Sequence, residues 1–263
     1  MRRRDLLGGT CLAGSAALAA MAGTAGGGEA AAGARELLEL RLYRAEAGEM
    51  RGRLDKFLAE AAIPAWNRIG IRPVGVFAAA DDSTADLYVV MSHKTAESFA
   101  AAPARLEADA EYRKAGAALL DTPKTSPTYL RIETSLMLAF EQAPRLEAPV
   151  ERKPGRVFQL RIYESHCDER ARLKIDMFNG GGEISIFRRA GLTWVFFGQT
   201  LAGAKMPNLT YMVGFADDDA RKAAWDRFGK DPEWVKLRAD RKYADTVSTI
   251  TNIVLKPTAY SQI

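Results

Sequence analysis

Two short segments carry the side chains best placed for chemistry. Leu38-Glu39-Leu40-Arg41-Leu42-Tyr43 and Phe158-Gln159-Leu160-Arg161-Ile162-Tyr163 each set an arginine two residues before a tyrosine, with an acid or an amide two residues before the arginine. Alternating positions of a strand share a face, so each triplet would be presented together. A guanidinium offers five N–H donors in a fixed fork and a phenol adds one more. Glu39, Arg41, Tyr43, Gln159, Arg161 and Tyr163 are therefore the candidate ligand-binding residues, for a small molecule that is anionic or carries a carbonyl. The competing reading is structural, with each arginine paired to a nearby carboxylate such as Glu39. No residue is assigned a catalytic role.

The other reactive residue types are too sparse for established constellations. The chain of 263 residues has two histidines and two cysteines, which leaves too few parts for a Ser-His-Asp triad or a multi-histidine or cysteine-built zinc site. His166-Cys167-Asp168 are neighbours in one loop and lack a fourth ligand for a soft metal. Asp217-Asp218-Asp219 directly precede a helix, where a cap with favourable dipole charge accounts for them. Gly180-Gly181-Gly182 lacks the Lys-Ser/Thr of a phosphate loop and reads as a helix break. Neither a metal nor a cofactor is expected. Setting aside Arg2, Arg3, Arg4 and Asp5 leaves 34 basic against 32 acidic residues, no electrostatic footprint for nucleic acid.

The elements that must position the two triplets come from an internal repeat. The first triplet segment returns 120 positions later, Ile69-Gly70-Ile71 returns as Ala190-Gly191-Leu192, and Asp109-Ala110-Glu111-Tyr112 returns as Asp231-Pro232-Glu233-Trp234, at offsets of 120 to 122. Three landmarks in one order mark a duplicated unit. In the first copy, 37–44 alternates as a strand, and 49–62 has helical spacing broken at Pro64. The runs 74–79 and 86–92 are β-rich, a helical region starts at Thr95 and is interrupted near Pro103, and 128–140 closes the unit. His93 aligns with Phe215 and is read as packing. The order is βαββαβ, so the fold class is α+β: tandem ferredoxin-like repeats whose antiparallel sheets face each other as a barrel within one chain. Leu40, Leu42, Leu160 and Ile162 are taken to meet the helices, which sends Arg41 and Arg161 into the shared interior.

The opening Glu-Leu-Arg-x-Tyr strand, the segment Arg68 to Phe77 and the late helices at Asp109 and Asp231 resemble the NIPSNAP family of the dimeric α+β barrel superfamily. The resemblance is most specific in the first copy. In the second, Asn179-Gly180-Gly181-Gly182 interrupts a helix, and Thr193-Trp194-Val195-Phe196-Phe197-Gly198 replaces the Pro-Val-Gly segment. It implies a fold and a pseudo-dimer, with ligand binding or a structural role as the leading expectation. The alternative that the superfamily allows is a cofactor-independent oxygenase or isomerase, in which Tyr43 or Tyr163 with an arginine would stabilise an enolate-like anion.

The first residues set the expected compartment. Arg3-Arg4-Asp5-Leu6-Leu7 resembles a twin-arginine export signal and runs into a glycine-diluted apolar stretch, Leu6 to Gly23, with Ala20-Met21-Ala22 as a cleavage motif and Ala30 to Ala32 as a later one. The expected organisation is signal peptide and spacer over 1–34, a first NIPSNAP-like repeat over 36–140, a linker rich in proline and charge over 141–156, and a second, divergent repeat over 157–263. The mature protein is expected in the periplasm or cell envelope of a bacterium, without a stable membrane span. A small-molecule ligand and a homo-oligomer are its expected partners.

Overall fold

Residues 35–148 and 152–263 are described by the computed structural model; the expected export signal and cleavage motifs lie outside them. The first half runs β1 (Leu37–Arg44), α1 (Glu49–Phe57), a π-helical stretch (Leu58–Ala62), α2 (Ile63–Arg68), β2 (Gly75–Ala79), β3 (Leu87–His93), α3 (Ala96–Glu107), α4 (Ala110–Leu120) and β4 (Arg131–Ala139). The second half repeats this order as β5 (Val157–Glu164), α5 (Asp168–Asn179), α6 (Glu183–Ala190), β6 (Thr193–Ala202), β7 (Asn208–Phe215), α7 (Asp218–Lys230), α8 (Pro232–Arg238) and β8 (Thr249–Pro257).

Local sequence explains most helix boundaries. Thr95 caps α3 in a reciprocal capping box with Ser98, and the carboxylates of Asp109, Asp217 and Asp231 cap α4, α7 and α8. Each accepts a backbone N–H that the first helical turn leaves without a partner. Gly182, at φ +86°, separates α5 from α6, a left-handed turn that glycine adopts without steric cost. Pro103 does not interrupt its helix as expected: α3 continues through it to Glu107. The missing N–H costs little there because Pro103 lies on the exposed side.

All strands pair antiparallel and close in the order β1-β3-β2-β8-β5-β7-β6-β4. Each half contributes four contiguous strands, and the halves join through β2 with β8 and β4 with β6. Closure removes the open edges that each four-stranded sheet would otherwise present. Among the described residues no helix is long and apolar enough to cross a membrane.

The barrel interior is filled from both halves. Leu38, Leu40, Phe77, Val90, Met137, Phe158, Leu160, Phe196, Met212 and Leu255 form one buried cluster, with Leu42 packed against it. Each large side chain removed from water there contributes about 1.5–3 kcal/mol. The segment after β4 is tied to one end of this core: Leu146 is buried in it, and Glu147 N donates to the Val195 carbonyl. Two further cores lie outside the barrel, where Leu54, Leu58, Trp66, Val89 and Met91 pack in the first half and Phe178, Phe187, Phe197, Tyr211 and Phe228 in the second.

This arrangement corrects the expected register. Leu38, Leu40, Leu42 and Leu160 face the barrel, whereas Arg41 and Arg161 lie on the helix-covered faces. Period-two alternation places the leucines and the polar triplet on opposite faces without saying which face is which. The barrel, whose middle is packed from both halves, takes the wholly apolar set. The sheet–helix interface has loops and an open margin, and it accommodates the ions.

A candidate ligand cavity between sheet and helices

Strand β1 presents Glu39, Arg41 and Tyr43 together beneath α2, α3 and α4. Glu39 is 1% exposed and Tyr43 is 2% exposed. The Glu39 carboxylate bridges two strands: its Oε1 accepts from Arg41 Nε at 2.8 Å and Nη2 at 2.6 Å, while its Oε2 lies 2.9 Å from His93 Nε2 at the end of β3. Arg41 Nη1 also donates to the Tyr43 hydroxyl at 3.3 Å, and its guanidinium sits 5.5 Å from the centre of the Trp66 ring. These contacts use three of the five guanidinium N–H groups. The Arg41 side chain remains 23% exposed.

Burial alone would raise the Glu39 carboxyl, but the hydrogen bond from His93 and the charge and hydrogen bonds of Arg41 outweigh it and hold the group below its ordinary value. Desolvation works against the Arg41 charge, while Tyr43 and Glu39 hold its pKa above the ordinary value. Burial raises the Tyr43 phenol. Tyr112 of α4, above the same site, is pushed by burial to about 12. At neutral pH the site therefore holds one carboxylate, one guanidinium and two neutral phenols. His93 Nδ1 is buried and has no hydrogen-bond partner.

Glu39, Arg41, His93 and Tyr112 border a cavity of about 730 Å³ between the sheet and the helices, and Tyr43, buried beside Arg41, is not one of its wall residues. Its polar wall is formed by Glu39, Arg41, His93 and Thr134 of the sheet with Glu107, Tyr112 and Arg113 of the helices, and Trp66, Met91, Phe99 and Leu106 are among its apolar residues. That volume suits a drug-sized molecule, and the mixture of aromatic wall and a few convergent polar groups is usual for ligand sites.

In the second half the equivalent place is filled. Trp225 Nε1 donates to Gln159 Oε1 at 2.5 Å, and Gln159 Nε2 donates to Asn252 Oδ1 at 2.6 Å. The Arg161 guanidinium stacks over Trp225 at 4.8 Å and Tyr163 at 5.2 Å, and its Nε has no hydrogen-bond partner. Tyr163 instead shares a 3.0 Å hydrogen bond with Tyr211. Phe215 occupies the strand position of His93 in the repeat. The six candidate residues thus form two separate triplets on the outer faces of the barrel, one beside a cavity and one sealed by tryptophan. Sequence reasoning took His93 as packing, and it did not single out Tyr112 or Trp66 as wall residues. The absence of an acid and a histidine at positions 159 and 215 was the available signal.

A second cavity, of about 420 Å³, lies at one barrel mouth, lined by Leu40, Leu42, Leu160, Ile162 and Ile253. Its cations are engaged already, Arg44 by Asp86 and Glu133 and Lys205 by Glu164 and Thr251. Among the described residues no group of three or more His, Cys, Asp or Glu side chains is placed to hold a metal ion. His166, Cys167 and Asp168 are exposed at the start of α5.

Several solved structures share this architecture. A candidate monooxygenase from Fusobacterium nucleatum aligns with a TM-score of 0.56 at 7% identity, covering 85% of this chain and 93% of that one. One from Lactobacillus acidophilus gives 0.54 at 8% identity, over 85% and 94% of the two chains. An anthrone oxidase-like protein gives 0.55 at 12% identity, over 86% and 93%. At these identities the likeness is one of fold. A search of curated protein sequences finds no match. The family match falls on the half in which the sequence reading found departures, not on the half it read as most specific. Residues 158–262 match the NIPSNAP family, and they form one half of an eight-stranded antiparallel α+β barrel.

Proposed function

We propose that this chain is an exported protein made of two NIPSNAP-like halves, and that it binds a small aromatic anion or carbonyl compound in the sheet–helix cavity of the first half. The observation that carries this reading is Arg41: it stands on the wall of a 730 Å³ cavity with its charge balanced by Glu39 and two of its N–H groups still unspent. An incoming oxyanion or carbonyl would accept from those donors while its ring packs against Trp66. Neutral Tyr112 supplies a further donor from α4. The second half, with its tryptophan lid and hydrogen-bonded Gln159, serves as scaffold. Delivery to the cell envelope rests on the Arg3-Arg4 pair and the weakly apolar stretch after it.

Salicylate and 2-cyano-4-nitrophenolate are suitable aromatic anions for equilibrium dialysis. Ala102, buried on the cavity wall in α3, is the site at which to fill the space. Binding to the native protein that is lost in Ala102→Phe and kept in Ile253→Phe, which fills the barrel mouth, is the expected pattern. Binding indifferent to Ala102→Phe, or abolished by Ile253→Phe, would move the ligand elsewhere.

A further inference from the structure

We propose that His93 is a proton acceptor facing this cavity, oriented by Glu39, and that the bound molecule is an enolisable aryl carbonyl compound. The inference rests on the binding site proposed above and adds a reaction to it. Its basis is geometry. Glu39 Oε2 lies 2.9 Å from His93 Nε2, and the carboxylate is fixed on its other oxygen by two hydrogen bonds from Arg41. A carboxylate so placed accepts the Nε2–H, which leaves the Nδ1 lone pair as the free end of the imidazole. That atom is buried without a partner, an expensive condition for a polar group that served packing alone. His93 and its edge-on neighbour Phe99, 5.2 Å away centre to centre, both line the cavity. Nδ1 has no accessible surface of its own, so a ligand reaches it only when a neighbouring side chain turns aside, and Phe99, half-buried beside the imidazole, is the side chain placed to do so.

One carboxylate separates the base from the cation. In the reaction this allows, Nδ1 takes a proton from the carbon next to the ligand carbonyl, and the electron pair of that C–H bond moves onto the carbonyl oxygen as an enolate. The unspent N–H groups of Arg41 stabilise the oxyanion, and Glu39 stabilises the imidazolium. Where a further C=C bond extends the enolate to a dienolate, returning the proton to its far carbon gives the conjugated isomer, and returning it to the first carbon restores the starting compound. No electron acceptor or second reactant is consumed. The second half lacks both parts, with Gln159 and Phe215 in their places.

The substrate being unidentified, a probe of base strength at carbon replaces it. With 5-nitrobenzisoxazole, loss of the ring C–H proton to Nδ1 forms the nitrile as the N–O bond breaks, releasing 2-cyano-4-nitrophenolate, which is followed by its colour. The native protein should accelerate this elimination, and His93→Gln and His93→Phe should each lower kcat by about 100-fold or more, the usual contribution of a placed general base. His93→Phe places in β3 the residue that stands at 215, and circular dichroism of both variants reports whether the fold is kept. In His93→Ala, added imidazole should restore part of the rate. As a positioning residue, Glu39 should show a loss in kcat with little change in KM on Glu39→Gln. If the phenolate binds as proposed but elimination is no faster than in buffer, or is unaffected by folded His93 variants, the base assignment is overturned and the binding site stands. If neither the phenolate nor 5-nitrobenzisoxazole binds, both fall.

Discussion

Replacing Glu183 should damage stability more than replacing its partner Lys174, although the two form one contact. Lys174 of α5 and Glu183 at the start of α6 meet at 2.9 Å, with 5% and 1% of their surfaces exposed. Glu183→Leu leaves an ammonium enclosed by the rings of Phe178, Trp234 and Tyr163, 4.8–5.7 Å from its nitrogen. Stranding one member of a buried pair costs about 3–5 kcal/mol. Lys174→Met strands a carboxyl that has an escape, because it neutralises by taking up a proton. Burial already raises the Glu183 pKa above 4.5 against the opposing charge and hydrogen bond of Lys174. A raised folded-state value gives stability that is fully present below the unfolded value and lost as pH rises through the folded one. The native protein should therefore lose part of this contribution above about pH 4.5. Lys174→Met, lacking the lowering influence, should lose more, at about 1.4 kcal/mol per unit of further shift. The double variant Lys174→Met/Glu183→Leu should lie within about 1 kcal/mol of native or be more stable, since a packed apolar pair carries no desolvation cost. Urea unfolding followed by tryptophan fluorescence, at mildly acidic and at neutral pH, measures all four corners of the cycle. Single-variant losses that simply add in the double variant would refute the argument, as would a Lys174→Met protein whose deficit is the same at both pH values.

Two further outcomes concern the whole chain. Residues 36–140 expressed alone would expose Leu38, Leu40, Phe77, Val90 and Met137, which the other half covers, so sedimentation should find a homodimer or aggregate; a well-folded monomer would show that the sheets do not depend on each other. Arg3→Lys with Arg4→Lys should leave the protein in the cytoplasm on cell fractionation, and efficient export of that double variant would overturn the reading of the leader.

The alternation of β1 and β5, the caps at Thr95, Asp217 and Asp231, and the glycine break at 180–182 are local signals, and they were legible because a few adjacent residues determine each of them. The inward face was not legible. Leu38, Leu40 and Leu42 on one side and Glu39, Arg41 and Tyr43 on the other satisfy period two equally well in either orientation. What selects between them is closure, through β2–β8 and β4–β6 pairs between residues far apart in the chain. The same limit governed the site. Glu39, Arg41 and Tyr43 stood out by spacing, whereas His93 joins them only across the β1–β3 pair, in which it lies opposite Leu37 and diagonal to Glu39. Its alignment with Phe215 pointed to packing. That is half of its role, since His93 does pack against Phe99.

Closure also explains why the two halves can differ so much in one place. The central inward residues pack in one core shared by both halves, so a charge introduced there would be desolvated by both at once, at several kcal/mol. Ions are therefore kept to the barrel mouth, as with Arg44 and Glu133, and to the outer faces, where each triplet answers only to its own helices. Glu39 has an arginine and a histidine to satisfy both oxygens. Gln159 meets its needs with Trp225 and Asn252 instead, and the indole that satisfies it also occupies the space. An amide has both a donor and an acceptor to place, and Trp225 takes the acceptor while Asn252 takes the donor. A carboxylate only accepts, so it would keep the indole as donor and need the Asn252 amide turned about to donate. The acid or amide at this strand position is thus one of the differences, together with those at 215 and 225, that accompany a cavity in the first half and a filled space in the second. Gln159→Glu alone should leave the space filled, because Asn252 can turn its amide to donate, and opening the second half would require the changes at 215 and 225 as well.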